Sequence, residues 1–115
     1  MILGLHHIAI IVSSEASVDF YKELGFKETY RVTRVNDAVV LLDGFGFELE
    51  LFVDPNHPSR TNNPENIGLR HIALQVSDID EFAVKYGVAQ INKDWQGEKY
   101  FYITDPDGLP IEIHE

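Results

Sequence analysis

The chain has 115 residues, 44% hydrophobic and 24% charged, with no cysteine; that suits one folded domain with a single core and excludes disulfides, thiolate metal sites and cysteine nucleophiles. The formal net charge of −10 repels phosphate backbones and anionic membrane surfaces, and no lysine–arginine stripe offsets it, so nucleic acid and membrane are excluded as partners. The longest apolar runs, 8–12 and 38–42, are far too short to span a bilayer, and the first residues lack the marks of a secretory leader, which makes the cytoplasm the expected location.

In chain order, Leu5–Val12 alternates and is rich in β-formers, so it reads as a strand. Ser13 and Ser14 offer a helix N-cap with Glu15 in the first turn. Val18, Tyr21 and Leu24 follow at helical spacing, and Gly25 supplies the stop. Phe26–Arg34 and Ala38–Leu42 read as strands, Asp43-Gly44 as a turn, and Phe47–Val53 as a further strand. Residues 54–66 hold three prolines, four asparagines and a serine, the composition of a linker. The plan then repeats. Leu69–Val76 is a strand, and Ser77 and Asp78 cap a helix running to about Tyr86, with Gly87 as its stop. Val88–Asn92 is a short strand and Lys99–Thr104 a clearer one. Asp105-Pro106-Asp107-Gly108 is a tight turn, and Leu109–His114 is the last strand.

The repetition is also visible residue by residue. Leu, His, Ile, Ala, Val and Ser of Leu5–Ser13 recur at one constant offset in Leu69–Ser77. Two copies point to a duplicated β-α-β-β-β module, since a solenoid needs about three or more repeats. Strand parity puts His7, Ala9 and Ile11 on one face and Ile8, Ile10 and Val12 on the other; in the second copy His71, Ala73 and Gln75 oppose Ile72, Leu74 and Val76. Each copy therefore carries a histidine at the same position of its more polar face. The last strand of each copy adds carboxylates: Glu48 and Glu50 share a face in the first, and Glu112 shares one with His114 in the second. One histidine and one glutamate per copy, at nearly equal spacing, is a donor set whose two carboxylates and two neutral imidazoles balance a divalent cation. Parity leaves Glu48 and Glu50 both open. It turns His6 to the other face; His57 lies in the linker, and His114 sits one residue from the C-terminus. The chain has no glycine-rich phosphate loop and no serine in a nucleophile elbow.

The duplicated plan resembles the vicinal oxygen chelate superfamily, which includes glyoxalase I, methylmalonyl-CoA epimerase, extradiol dioxygenases and fosfomycin-resistance enzymes. The resemblance rests on Leu5-His6-His7-Ile8-Ala9-Ile10-Ile11-Val12, Phe20-Tyr21 with Leu24-Gly25-Phe26, Gly68-Leu69-Arg70-His71-Ile72-Ala73, and Asp105-Pro106-Asp107-Gly108 with Ile111-Glu112-Ile113. It covers essentially the whole chain. Leu49-Glu50-Leu51-Phe52, Pro58-Ser59-Arg60 and Gly68–His71 are most similar to the small bacterial glyoxalase-like (lactoylglutathione lyase-like) members. The resemblance implies an α+β fold for a single domain, 1–115. Its two βαβββ modules, 1–53 and 68–115 with linker 54–67, would form a cup-shaped, barrel-like mixed sheet with the helices outside. It implies one divalent ion (Ni, Zn, Mn, Co or Fe) held by His7, Glu50, His71 and Glu112, and so selects Glu50 over Glu48. By the same analogy the ion acts as a Lewis acid on an enediolate-like intermediate of a small substrate with adjacent oxygens, and Glu50 or Glu112 is the general base. Arg60 is a candidate for a substrate carboxylate. The implied activity is that of a metal-dependent lyase or isomerase. The other activities within the family are ligand binding without turnover, as in bleomycin resistance, and iron-dependent dioxygenation. A homodimer is the expected assembly, with modules pairing within a chain or across the dimer.

Overall fold

In the computed structural model, which describes residues 1–115, the duplicated pattern becomes two units, Met1–Ser59 and Arg60–Glu115. Each runs strand, helix, strand, strand, strand and folds into one helix and a four-stranded mixed sheet, an α+β architecture. No helix is long and apolar enough to cross a membrane.

The first unit holds β1 (His7–Val12), α1 (Glu15–Leu24), β2 (Lys27–Thr33), β3 (Ala38–Gly44) and β4 (Phe47–Val53), with sheet order β1-β4-β3-β2. Ser14 lies in extended backbone and its Oγ accepts from the Ala16 amide at 3.3 Å, so α1 starts where the serine pair predicts. At the other end Gly25 takes φ 118°, a left-handed conformation that a residue with a Cβ resists, and its amide donates to the Lys22 carbonyl. The Phe26 amide donates back to the Tyr21 carbonyl, which ties Phe26 to the helix end and starts β2 one residue later than expected. Val18 and Tyr21 of α1 are buried, as are Ile10 and Val12 of β1, Val40 and Leu42 of β3, and Leu49 and Leu51 of β4. These alternate residues make the covered face of the sheet, and the opposite parity, including His7, Ala9 and Ile11, stays open.

The expected turn at Asp43-Gly44 lies two residues further on. β3 extends to Gly44, and the reversal uses Phe45 (φ 57°) and Gly46 (φ 87°), the positive-φ pair of a two-residue hairpin. A phenylalanine is an unusual occupant of that region. Its ring packs edge-on against Phe26, centroids 5.0 Å apart, which holds it there.

The second unit holds β5 (Ile72–Gln75), α2 (Ile79–Lys85), β6 (Asn92–Lys93), β7 (Lys99–Thr104) and β8 (Pro110–His114), with order β5-β8-β7-β6. Asp78 caps α2, its carboxylate accepting from the Glu81 amide at 3.0 Å. Ile79 and Ala83 are buried, with Ile72, Phe101, Ile111 and Ile113. β5 is shorter than the expected 69–76: its ladder to β8 begins at Ile72↔Ile111, one step after Pro110, which has no amide to donate. β6 falls at Asn92–Lys93, not at the apolar 88–92. Asp94 sets it, its carboxylate accepting from the Gln96 and Glu98 amides at 2.8 and 2.9 Å to close the turn that pairs Lys93 with Lys99.

The stretch between the copies carries local structure of its own. Asn62 and Glu65 form an isolated bridge, and Asn63–Pro64 is a cis peptide.

Candidate metal centre

In the first unit the parallel register of β1 and β4 places His7 beside Glu48 and Ala9 beside Glu50. Both glutamates rise on the open face with the histidine. His7 Nε2 lies 4.0 Å from Glu50 Oε1, within the span of two ligands that each stand about 2.1 Å from one cation. His7 and Glu50 are 40% and 27% exposed, so both can be reached by an ion and its substrate. Across β4 the same row continues through Leu41 of β3 and Tyr30 of β2, an apolar flank for Glu50.

His6 stands just before β1, and parity therefore does not turn it away. Its ring meets His7 edge-on and the two Nδ1 atoms are 2.9 Å apart. With Nδ1 in that contact, the other ring nitrogen of His7, Nε2, is the one that lies near Glu50. His6, His7 and Glu48 also form a cluster of donor atoms within 4.8 Å of one another, so Glu48 keeps its place as a rival for Glu50.

Arg34 reaches the same face from the end of β2. Asp37 holds its guanidinium through two bonds of 2.6 Å, and the plane lies over the Phe52 ring, 5.6 Å from the centroid. The Asp37 carboxylate keeps Arg34 charged, and Glu50 acts on it in the same direction.

In the second unit the Asp105-Pro106-Asp107-Gly108 turn sets the register of β8. Asp105 is buried, and its carboxylate accepts from the amides of Asp107 and Leu109 at 2.9 Å each, while the Gly108 amide closes onto the Asp105 carbonyl. This fixes Glu112 opposite Ala73 of β5 and opposite Tyr102 of β7. The Tyr102 hydroxyl donates to Glu112 Oε1 at 3.1 Å, and its ring stands edge-on to His71, centroids 5.2 Å apart. Partial burial and the charge of Glu112 push the Tyr102 phenol up, and the adjacent Arg70 opposes them; the phenol stays protonated and keeps its donor role. His71 lies one residue before β5 and is half-buried. Arg70 Nη1 is 3.2 Å from His71 Nδ1 and donates to the Tyr102 hydroxyl at 3.4 Å.

The two halves agree in register. Each has a histidine two residues before an alanine, and each alanine faces a glutamate across a parallel pair: Ala9 faces Glu50 and Ala73 faces Glu112. Glu48 has no acidic counterpart, since the residue two before Glu112 is Pro110.

Arg60 donates through Nε to Asn62 at 2.9 Å and through Nη2 to the Leu69 and Arg70 carbonyls at 3.3 and 3.0 Å. It fixes the segment that leads into His71. Asn62 in turn donates to the Gly108 carbonyl at 2.9 Å, binding that segment to the turn before β8. His57 pairs with Asp54 and His114 with Asp94, which places both outside the His–Glu pairs. Reading the residues singly did not find His6, Arg34, Arg70 or Tyr102. Tyr102 becomes visible only when β7 is set in register against β8, while Arg70 and His6 show as the matched residues preceding His71 and His7.

Comparison with known proteins agrees with this architecture. The family model for the glyoxalase/bleomycin resistance protein/dioxygenase superfamily matches residues 4–113. The chain is 35% identical to the YwkD protein of Bacillus subtilis over 126 aligned positions, covering 100% of this chain and 98% of that one. It is 38% identical to a glyoxalase family protein of Enterococcus faecalis whose crystal structure superposes with a TM-score of 0.88, covering 97% of each chain. A trypanothione-dependent glyoxalase I of Leishmania major is 25% identical, with a TM-score of 0.74 over 98% of this chain and 86% of that one. With the module order, the sheet register and the match over nearly its full length in accord, the chain belongs to the glyoxalase/bleomycin resistance protein/dioxygenase superfamily.

Proposed function

We propose that this protein is a divalent-metal-dependent lyase or isomerase of the glyoxalase type, acting on a small substrate with adjacent oxygens by moving a proton next to a carbonyl. The single observation that carries the reading is the shared register of Ala9 with Glu50 and Ala73 with Glu112, each two residues after a histidine. The donor set fits a divalent cation: two imidazoles and two carboxylates are neutral overall with the ion bound and suit Ni, Zn, Mn, Co or Fe. His7 and Glu50 from one module, with His71 and Glu112 from the other, would hold it, the second module belonging to the same chain or to its copy in a homodimer. When bound, the ion supplies Lewis acidity to the substrate's paired oxygens.

The remaining work falls to the chain's own side chains. Glu50 or Glu112 takes the proton from the carbon beside the carbonyl and returns it to the neighbouring carbon. Tyr102, bonded to one oxygen of Glu112, leaves the other oxygen for that transfer and fixes its direction. His6 orients His7. Leu41 gives Glu50 an apolar neighbour on the adjoining strand. Arg60 keeps Nη1 for a substrate carboxylate, beyond its bonds to Asn62 and the segment before His71.

The test is proton exchange and turnover. Protein loaded with Ni or Zn is assayed on the hemithioacetal of methylglyoxal and on other substrates with neighbouring oxygens, with deuterium incorporation followed by NMR in heavy water. The reading predicts exchange at the carbon next to the carbonyl, reduced by about two orders of magnitude or more in whichever of Glu50→Gln and Glu112→Gln removes the base. Fully loaded protein that exchanges no proton on any such substrate would contradict it.

A further inference from the structure

We infer that Arg70, with Tyr102 beside it, is the anion-recognition element of this site, so that the substrate is a small carboxylate such as a 2-oxo or 2-hydroxy acid. The inference rests on the metal-site reading above and adds the substrate class.

It comes from the two places where the duplicated halves differ. The residue before each site histidine touches that histidine's Nδ1: His6 on His7 at 2.9 Å, Arg70 on His71 at 3.2 Å. An imidazole can donate or accept, so His6 can receive the N–H that a ligating ring directs away from its ion. A guanidinium only donates. Arg70 therefore cannot support His71 as His6 supports His7, although it occupies the equivalent position. The second difference lies in the row through the glutamates. Where β3 presents Leu41 to Glu50, β7 presents Tyr102 to Glu112. The Tyr102 hydroxyl is bonded both to Glu112 and to Arg70. The second half thus carries a guanidinium and a phenol where the first carries an imidazole and a leucine.

Charge gives the pair its use. The chain carries a net charge of −10, and each His–Glu pair itself includes a carboxylate, so an anionic substrate is repelled unless a fixed cation meets it. Arg70 is 58% exposed and is held on its Nε side by Glu65 at 2.8 Å, itself 49% exposed. Solvent-exposed pairs of this kind contribute little. A substrate carboxylate can take the place of Glu65, meeting the planar fork in the two-point geometry that arginine favours. Lys22 and Arg31 are paired with Glu28, Arg34 with Asp37 and Lys99 with Asp80, and Arg60 has only Nη1 left beyond its bonds to Asn62 and the backbone carbonyls, so it can assist but not replace the fork of Arg70.

The experiment compares two near-isosteric probes, pyruvate and uncharged hydroxyacetone. Binding to full-length protein loaded with zinc is measured by calorimetry, with zinc content determined on the same samples. Wild type should bind pyruvate, and Arg70→Ala should weaken that binding about tenfold or more while leaving hydroxyacetone binding and zinc content unchanged. Arg70→Lys should restore part of the loss, since it keeps the charge without the fork. Zinc-loaded Arg70→Ala that binds pyruvate as tightly as wild type would overturn the role of Arg70 alone. Zinc-loaded wild type that binds no pyruvate would overturn the substrate class. Wild type that holds no zinc would overturn the reading beneath both.

Discussion

Glu28 shows how single side chains fasten the first sheet to its helix. Arg31 and Lys22 both hold its carboxylate, and they depress its pKa from 4.5 to about 2, Arg31 contributing most. Arg31 also reaches Glu15 in the first turn of α1, so one guanidinium joins β2 to the helix start. A carboxylate whose folded pKa is depressed stabilises the fold above its unfolded value and loses that contribution as pH falls through the folded one. Acid should therefore weaken this protein between about pH 4.5 and about pH 2. Glu28→Gln should be less stable by about 1 kcal/mol at neutral pH and should lack that component of the acid loss, as read from urea midpoints at pH 7 and pH 3. An unchanged acid dependence in the variant would show that Glu28 is not held this way. The same scale marks the limit of reading residues alone. Glu48 and Glu50 share a strand face, and periodicity cannot separate them. The partner strand gives them different neighbours, Glu50 facing an alanine as Glu112 does and Glu48 facing His7 itself, and the metal content of the two variants decides between them.

At the scale of elements, turns and caps decide where the site residues stand. Helix α1, β4 and β7 were legible because their signals are local: a serine cap with a glycine stop, and strict alternation bounded by turn residues. β5, β6 and the β3–β4 hairpin were misjudged in extent because their limits depend on a neighbour: a proline in β8, the Asp94 turn, and a phenylalanine held in left-handed backbone by Phe26. The Asp105 turn bears most directly on the proposed site, since the register of β8 puts Glu112 against Tyr102 and Ala73. Asp105→Ala removes the acceptor of two amides at a buried position and should cost about 1–3 kcal/mol. Asp105→Asn, which keeps one acceptor oxygen, should lose less. Chemical denaturation of both variants tests this, and equal stability of Asp105→Ala and wild type would contradict it.

At the scale of the whole molecule, duplication is what made the sequence informative. A single histidine on a strand says little, but a histidine and a glutamate repeated in register are the pattern from which the proposed cation site is argued. The family and its α+β fold follow from the sequence pattern and the match to known relatives. The reaction does not follow from the fold, which carries many chemistries. It has to be argued from the donors and from the residues that differ between the halves, His6 against Arg70 and Leu41 against Tyr102. Metal content tests the central claim most directly, by elemental analysis of protein purified without added metal and again after incubation with divalent ions. The account predicts about one divalent ion per chain in wild type and in Glu48→Gln, and its loss in Glu50→Gln and His71→Ala. Wild type that retains no ion and takes up none on addition would contradict it, and so would a Glu50→Gln variant that keeps the ion while Glu48→Gln loses it.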